Sequence, residues 1–391
     1  MEAQVITQMS SDEAVVLSKV LAGKLHGRIQ EGETLRRQPD ETVQDIIDSG
    51  LATILKPIRF GGHELSLDVL ADTTIEVAKK NPAAGWCYTF IVVHQWMLAA
   101  WPEQAQREIW SENPTVNIAT AFAPPRNQNI THVEGGYRVS GQWSFSSGID
   151  HSEWVMATST EISLNEGEQR ERHMFLIPRS DYEIINEWHV AGLKASGSNG
   201  FVVSNVFVPA HRVISLTKWA GVGETPGMSV NQGASYHVPL YCALPICLTS
   251  AILGATIGAY ETYRKGLRDR LSKASSKEAA RLTHFMQRVT ELSAKIDAAE
   301  GLLRKALDVI RPGGEFNEEQ RAKLHRNYSY LARSCSQVMD DMFQFSGSAS
   351  IYESNLMQNY WRDVKAMSMH GYLNFDAAIE AFGTYELGLN E

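Results

Sequence analysis

Two histidines and a few serines are the residues best suited to chemistry in this 391-residue chain. His370 follows the segment Trp361-Arg362-Asp363-Val364, and His94 stands in an apolar stretch between Ile91 and Trp96. An imidazole with an ordinary pKa of ~6.5 can take a proton from a weakly acidic hydroxyl at neutral pH. Each also has a plain structural alternative: His370 as a helix-end cap, His94 as a hydrogen-bonded core residue. Ser146 and Ser147 lie in Trp143-Ser144-Phe145-Ser146-Ser147-Gly148, and Ser196 and Ser198 in a glycine-bearing turn. Their hydroxyls can donate to a ligand or simply satisfy neighbouring backbone.

Other chemistries are disfavoured. Cys87, Cys242, Cys247 and Cys335 show neither disulfide-framework nor CxxC spacing, which reads as inert thiols in a reducing cytoplasm, with no metal site. No HExxH or GxSxG motif appears, and no GxGxxG follows a strand, so no nicotinamide site is visible. A net charge of -9 argues against a nucleic-acid surface. No signal-like N-terminus is present, and no run approaches the ~20 apolar residues needed to span a bilayer; a soluble cytoplasmic protein is expected.

The elements that must position these residues fall into three blocks. Helical periodicity dominates residues 1–113: Ser10 can cap a helix carrying Ala14, Leu17, Leu21 and Leu25. Val43 to Leu55 reads as one amphipathic helix, and Leu67 to Lys80 as another, stopped by Asn81-Pro82. Ala83 to Trp101 is almost unbroken apolar helix. Residues 114–228 carry strand-like runs with turn residues, including a hairpin at Val133–Gly141 and strands at Trp154–Thr158, His173–Ile177 and Gly200–Val208. Within 217–235 a flexible Gly/Ser/Thr loop is expected. Residues 229–391 return to long helices, at about 240–272, 275–311, 316–345 and 353–384, which predicts a four-helix bundle.

Helices, a β-domain and a four-helix bundle, in that order, resemble the acyl-CoA dehydrogenase fold, an α+β architecture with a central β-barrel or sandwich. Local segments carry the resemblance: Pro57-Ile58-Arg59-Phe60-Gly61-Gly62, Ala119-Thr120-Ala121-Phe122-Ala123-Pro124-Pro125, Gly136 to Gly148, Trp188 to Ser198 with Val206-Phe207-Val208-Pro209, and Tyr360-Trp361-Arg362-Asp363. The dehydrogenases often carry a base glutamate eight residues beyond that Asp; here the position is Gly371, with His370 beside it. This departure resembles the two-component flavin-dependent aromatic hydroxylases, whose Trp-Arg-Asp helix also ends in a histidine at this spacing.

The resemblance implies the oxygenase component of a two-component monooxygenase. Such an enzyme uses reduced flavin (FADH2 or FMNH2) and O2, through a flavin C4a-hydroperoxide, to hydroxylate a small phenol or indole. It implies His370, Ser146 and His94 as catalytic residues. It places Thr120, Phe122, Ser146, Ser147, Ser198, Arg268, Arg270 and Gly347 at the flavin, the two arginines reaching a neighbouring subunit. His94, Trp96, Ser196, His237 and His370 would contact substrate. It also implies a separate NAD(P)H-dependent flavin reductase and a homotetramer. An acyl-CoA dehydrogenase with bound FAD, or an N- or S-oxidising monooxygenase of the same fold, are the alternatives.

Overall fold

The computed structural model describes residues 8–164, 169–272 and 282–389. The first helix, Ser11–His26, begins where expected: Ser10 and Glu13 form a reciprocal capping box. Leu67–Lys80 matches its expected bounds. The next helix, Pro82–Leu98, starts because Asn81 accepts the Ala84 N–H and Pro82 fills a first-turn position that needs no donor. Every residue of that helix except Ile91 is buried. The expected Val43–Leu55 helix is not continuous. It stops at Asp48, and Gly50 turns left-handed at φ +75° before a short 3₁₀ turn at Leu51–Thr53. Glycine takes that conformation without steric cost, which apolar spacing does not register.

The strands form two four-stranded sheets, ordered β1-β4-β5-β8 and β2-β3-β7-β6. The first contains β1 (Ile118–Ala121), β4 (Trp154–Thr158), β5 (His173–Pro178) and β8 (Val213–Ser215); the second contains β2 (Arg126–Val133), β3 (Gly136–Trp143), β6 (Glu183–Ile185) and β7 (Gly200–Pro209). The parallel β1–β4 pair sets Thr120 opposite Met156. Alternation explains the continuous apolar runs in the first sheet. Val155, Ala157, Phe175 and Ile177 face the second sheet with Trp143 and Phe201, whereas Trp154, Met156, Met174 and Leu176 face the helices. This sheet is therefore sealed on both sides and gives the site a fixed floor.

The expected loop at 217–235 is instead largely ordered. It contains a helix at Leu216–Val222 and a 3₁₀ turn at Pro226–Ser229, held because Trp219 is buried against Trp96 and Trp101. The expected 353–384 helix is two helices, Leu356–Ser368 and Phe375–Glu386, separated by a turn capped by His370 and Asn374. The remaining bundle helices are Pro245–Leu271, Leu282–Ile310 and Glu318–Ser346; residues 275–281 of the second predicted helix lie outside the described residues. Leu240–Leu271 is long and apolar enough to cross a membrane, but 89% of its apolar window is buried within the protein, as befits a core helix. It crosses Leu67–Lys80 at Gly254 and Gly258, where a Cβ on Gly258 would stand 2.0 Å from the Lys79 carbonyl oxygen. The N-terminal helices and the bundle thus share one hydrophobic core.

Candidate active site

Four-residue spacing on the Pro82–Leu98 helix stacks Trp86, Phe90 and His94 along one face. Trp86 meets Phe90 edge-on at 5.1 Å between centroids, and Phe90 stacks on His94 at 5.5 Å. His94 is 1% exposed, and its Nδ1 lies 2.5 Å from the Ile118 carbonyl oxygen on β1. A carbonyl only accepts, so Nδ1 carries the hydrogen and Nε2 is a bare lone pair. That Nε2 is buried and has no partner. Burial holds the ring neutral, its pKa pushed down to about 4. His94 is therefore a fixed acceptor waiting for a donor.

A second wall comes from the turn after β3. Phe145 adopts a left-handed φ of +63°, which is uncommon for a side-chain-bearing residue and reverses the direction of its neighbours. Phe145 is thrown outward, 66% exposed, with its ring edge-on to Trp188 at 6.0 Å. Ser146 is thrown inward: fully buried, its backbone N–H donates to the Asn199 carbonyl, and its Oγ has no partner. Ser147 is differently engaged. Its Oγ accepts from Trp86 Nε1 at 3.1 Å and lies 2.8 Å from Ser198 Oγ, which lies 2.7 Å from Ser196 Oγ. A polar chain thus runs from the serine turn to the aromatic wall, with the indole able only to donate.

His370 joins from the bundle, its ring centroid 6.3 Å from that of Trp86. It caps the turn after the Leu356–Ser368 helix, and its Nδ1 accepts the Tyr372 backbone N–H at 3.3 Å. Burial pushes its pKa down to about 4, so the ring is neutral. With Nδ1 accepting, the ring hydrogen sits on Nε2, and His370 presents a donor. Tyr372 stacks on Tyr241 at 5.2 Å. Arg172 reaches the Tyr241 hydroxyl, the Phe122 carbonyl and the Ser159 carbonyl, tying β5 to the bundle behind Phe122.

The structure thus brings together His94, Ser146, Ser147, Ser196, Ser198 and His370. Thr120 is buried nearby on β1, its hydroxyl donating to Met156 O, and Phe122 is partly buried against the helical core. Trp96 is corrected from a substrate contact to core. At about 100° per residue it stands ~200° around the helix from His94, and its Nε1 donates to Ser235 O beside Trp219. His237 is tied to the Asn231 carbonyl at 3.1 Å in the adjoining turn, outside the cluster. Arg268 and Arg270 are exposed near the end of the Pro245–Leu271 helix, and Gly347 is an exposed helix cap; none of the three joins the cluster within one chain. The Tyr241–Tyr372 pair was not singled out by sequence, whereas Trp86 was grouped there with Tyr88, Phe90 and Trp96 as aromatics of which one or two would wall a pocket. Trp86 had a signal, its four-residue spacing to Phe90 and His94, whereas Arg172 and Tyr241 are joined only by tertiary packing.

The chain is similar to known proteins along nearly its whole length. Residues 246–375 match the family described as "Acyl-CoA dehydrogenase, C-terminal domain". The chain is 32% identical over 389 residues to the flavin-dependent monooxygenase oxygenase subunit HsaA of Mycobacterium tuberculosis, covering 98% of each chain. It is 31% identical to the oxygenase component of an FADH2-dependent resorcinol hydroxylase from a Rhizobium species, covering 92% of this chain and 90% of the relative. The crystal structure of a 3-HSA hydroxylase from Rhodococcus sp. RHA1 superposes with a TM-score of 0.90 at 31% identity, covering 97% of this chain and 98% of that one.

Proposed function

We propose that this chain, which belongs to the family of flavin-dependent monooxygenase oxygenase subunits on the acyl-CoA dehydrogenase fold, hydroxylates a ring carbon of a small phenol or indole with reduced flavin and O2. The observation that carries the assignment is His94, a buried neutral imidazole whose one free lone pair faces no protein donor. A phenolic O–H or indolic N–H is the donor that suits it. Accepting that hydrogen bond polarises the O–H or N–H and raises electron density in the ring, as electrophilic oxygen transfer requires, without creating a buried imidazolium.

The remaining roles follow from which groups are already engaged. His370, neutral with its hydrogen on Nε2, orients the substrate or the oxygen being transferred by donating to it. Trp86 and Phe90 wall the ring. The residues also fit a flavin: Ser146 offers a buried hydroxyl without a partner, suited to hydrogen-bond the N5 edge of an isoalloxazine, and we assign Thr120 and Phe122, on and just after β1, to the same cofactor. When bound, reduced flavin supplies the two electrons that activate O2. The closed apolar walls keep water away, which limits loss of oxygen as hydrogen peroxide. Gly371 occupies the dehydrogenases' base position, which favours oxygenation over α-proton abstraction.

We place a separate NAD(P)H-dependent reductase upstream, a homotetramer in which Arg268 and Arg270 reach a neighbour's flavin, and the reaction in the cytoplasm. Anaerobic protein with reduced flavin, mixed with oxygenated buffer and a panel of phenols and indoles, tests the function. Hydroxylated product from at least one ring supports it; hydrogen peroxide alone with every ring refutes it.

A further inference from the structure

We propose that Asp363 is a positioning residue for the hydroxylation site, its buried side chain fixing the turn that carries the Ser196 and Ser198 hydroxyls, which meet Ser147, to the Leu356–Ser368 helix that leads into His370. The proposal rests on the function just described. Asp363 is 3% exposed, and its Oδ1 accepts the Leu193 backbone N–H at 2.6 Å. Leu193 is held in a left-handed conformation, φ +55°, which a leucine does not take unless its surroundings impose it. Its carbonyl in turn accepts from Trp188 Nε1 at 2.9 Å and from the Ser196 backbone N–H at 3.0 Å.

The neighbouring residues make the same junction. Arg362 Nη1 donates to the Ala191 carbonyl at 2.5 Å, and Nη2 reaches Glu33 at 2.7 Å. Gly192 lies so close that a Cβ there would stand 2.0 Å from the Arg362 carbonyl oxygen. Consecutive residues 362–363 thus grip consecutive residues 191–193. Beyond the grip the chain turns through Lys194–Ser196, passes Gly197 at φ +53°, and reaches Ser198 and Asn199. Asn199 closes the far end: its carbonyl receives the Ser146 N–H, and its Oδ1 accepts from the backbone of Glu187 and Trp188.

Asp363 gains little for overall stability. Burial opposes its ionisation strongly enough to bring its pKa to about 7, despite the Leu193 N–H. What it supplies is direction: one acceptor at the point where the serine turn must leave the bundle.

The test compares Asp363→Asn and Asp363→Ala in the full chain. Asparagine keeps an oxygen acceptor; alanine does not. In flavin-free protein, the Leu193 amide should exchange with solvent about tenfold faster in the Ala variant, the effect of losing one buried hydrogen bond, and at near the wild-type rate in the Asn variant. With reduced flavin, O2 and a substrate phenol, the product-to-peroxide ratio should fall about tenfold in Ala and stay within about twofold in Asn. Unchanged Leu193 exchange in a folded Ala variant overturns the proposal, as does an Asn variant that fails as badly as Ala. Should the wild type itself make only peroxide, the functional reading fails, while amide exchange still decides the role of Asp363.

Discussion

Replacing His94 by glutamine tests the state of the site's central group without any cofactor. His94 has a folded pKa of about 4, against ~6.5 for an unfolded imidazole. Between these values the unfolded chain binds the proton and the folded chain does not. Stability is therefore full above pH 6.5 and lost as pH falls towards 4. From pH 7.5 to pH 5.0 this linkage amounts to about 2 kcal/mol for one such group. Glutamine can still donate an N–H to Ile118 but cannot titrate. His370 carries the same kind of shift in both proteins, so the difference between them isolates His94. Urea unfolding at the two pH values is the assay. The wild type should lose about 2 kcal/mol more than His94→Gln over that interval. Equal losses would mean that His94 is not a desolvated neutral acceptor, and its assigned role would fall with that.

Four further substitutions separate packing from chemistry. Ser146→Ala removes a buried hydroxyl without a partner, so the melting temperature should hold or rise while product per O2 falls; Ser147→Ala strands the Trp86 indole N–H and should cost about 1–3 kcal/mol in unfolding. Gly258→Leu should cost more than about 3 kcal/mol or prevent soluble expression, since even a Cβ meets the Lys79 carbonyl at 2.0 Å. Asp363, with its folded pKa raised to about 7, has the opposite linkage to His94: the folded state holds the extra proton, and stability drains as pH rises from ~3.8 to 7. Asp363→Asn should therefore be more stable than wild type at pH 8, by at least about 1 kcal/mol, with the gain vanishing near pH 4; urea titrations at both values check the sign.

The parts of the fold legible in sequence are those where local chemistry and tertiary packing agree. Ser10 marks a helix start by a side chain that satisfies an orphan N–H, and Asn81-Pro82 marks where the Leu67–Lys80 helix stops. The Trp154–Thr158 and His173–Pro178 strands read as continuous apolar runs because their sheet is buried on both faces. Trp219 was hidden inside a segment whose glycines and serines suggest a loop, because its order comes from Trp96 and Trp101, remote in sequence. The last helix was read as unbroken because apolar spacing runs on past Met367 to Tyr372 and Phe375. The break is made by the His370 and Asn374 caps, which periodicity does not weigh.

The site was legible to the level of residue type and less so to the level of role. His94, Ser146 and His370 were visible through the resemblance of their segments to those of the flavin-dependent hydroxylases. Which serine faces inward depends on the left-handed backbone at Phe145, which breaks strand alternation. Which histidine accepts and which donates depends on a carbonyl from Ile118 and an N–H from Tyr372. Neither partner can be assigned before the chain is folded.

At the centre of the oxygenase site, the buried neutral His94 accepts a hydrogen bond from the O–H or N–H of an aromatic substrate and so activates its ring. Rapid mixing of the anaerobic protein and reduced flavin with O2 and a phenol, for wild type and His94→Gln side by side, tests it most directly. Hydroxylated phenol is expected from the wild type and product formation about 100-fold slower from the variant, with hydrogen peroxide released instead. Equal product from both, or peroxide alone from the wild type with every phenol and indole, would contradict it.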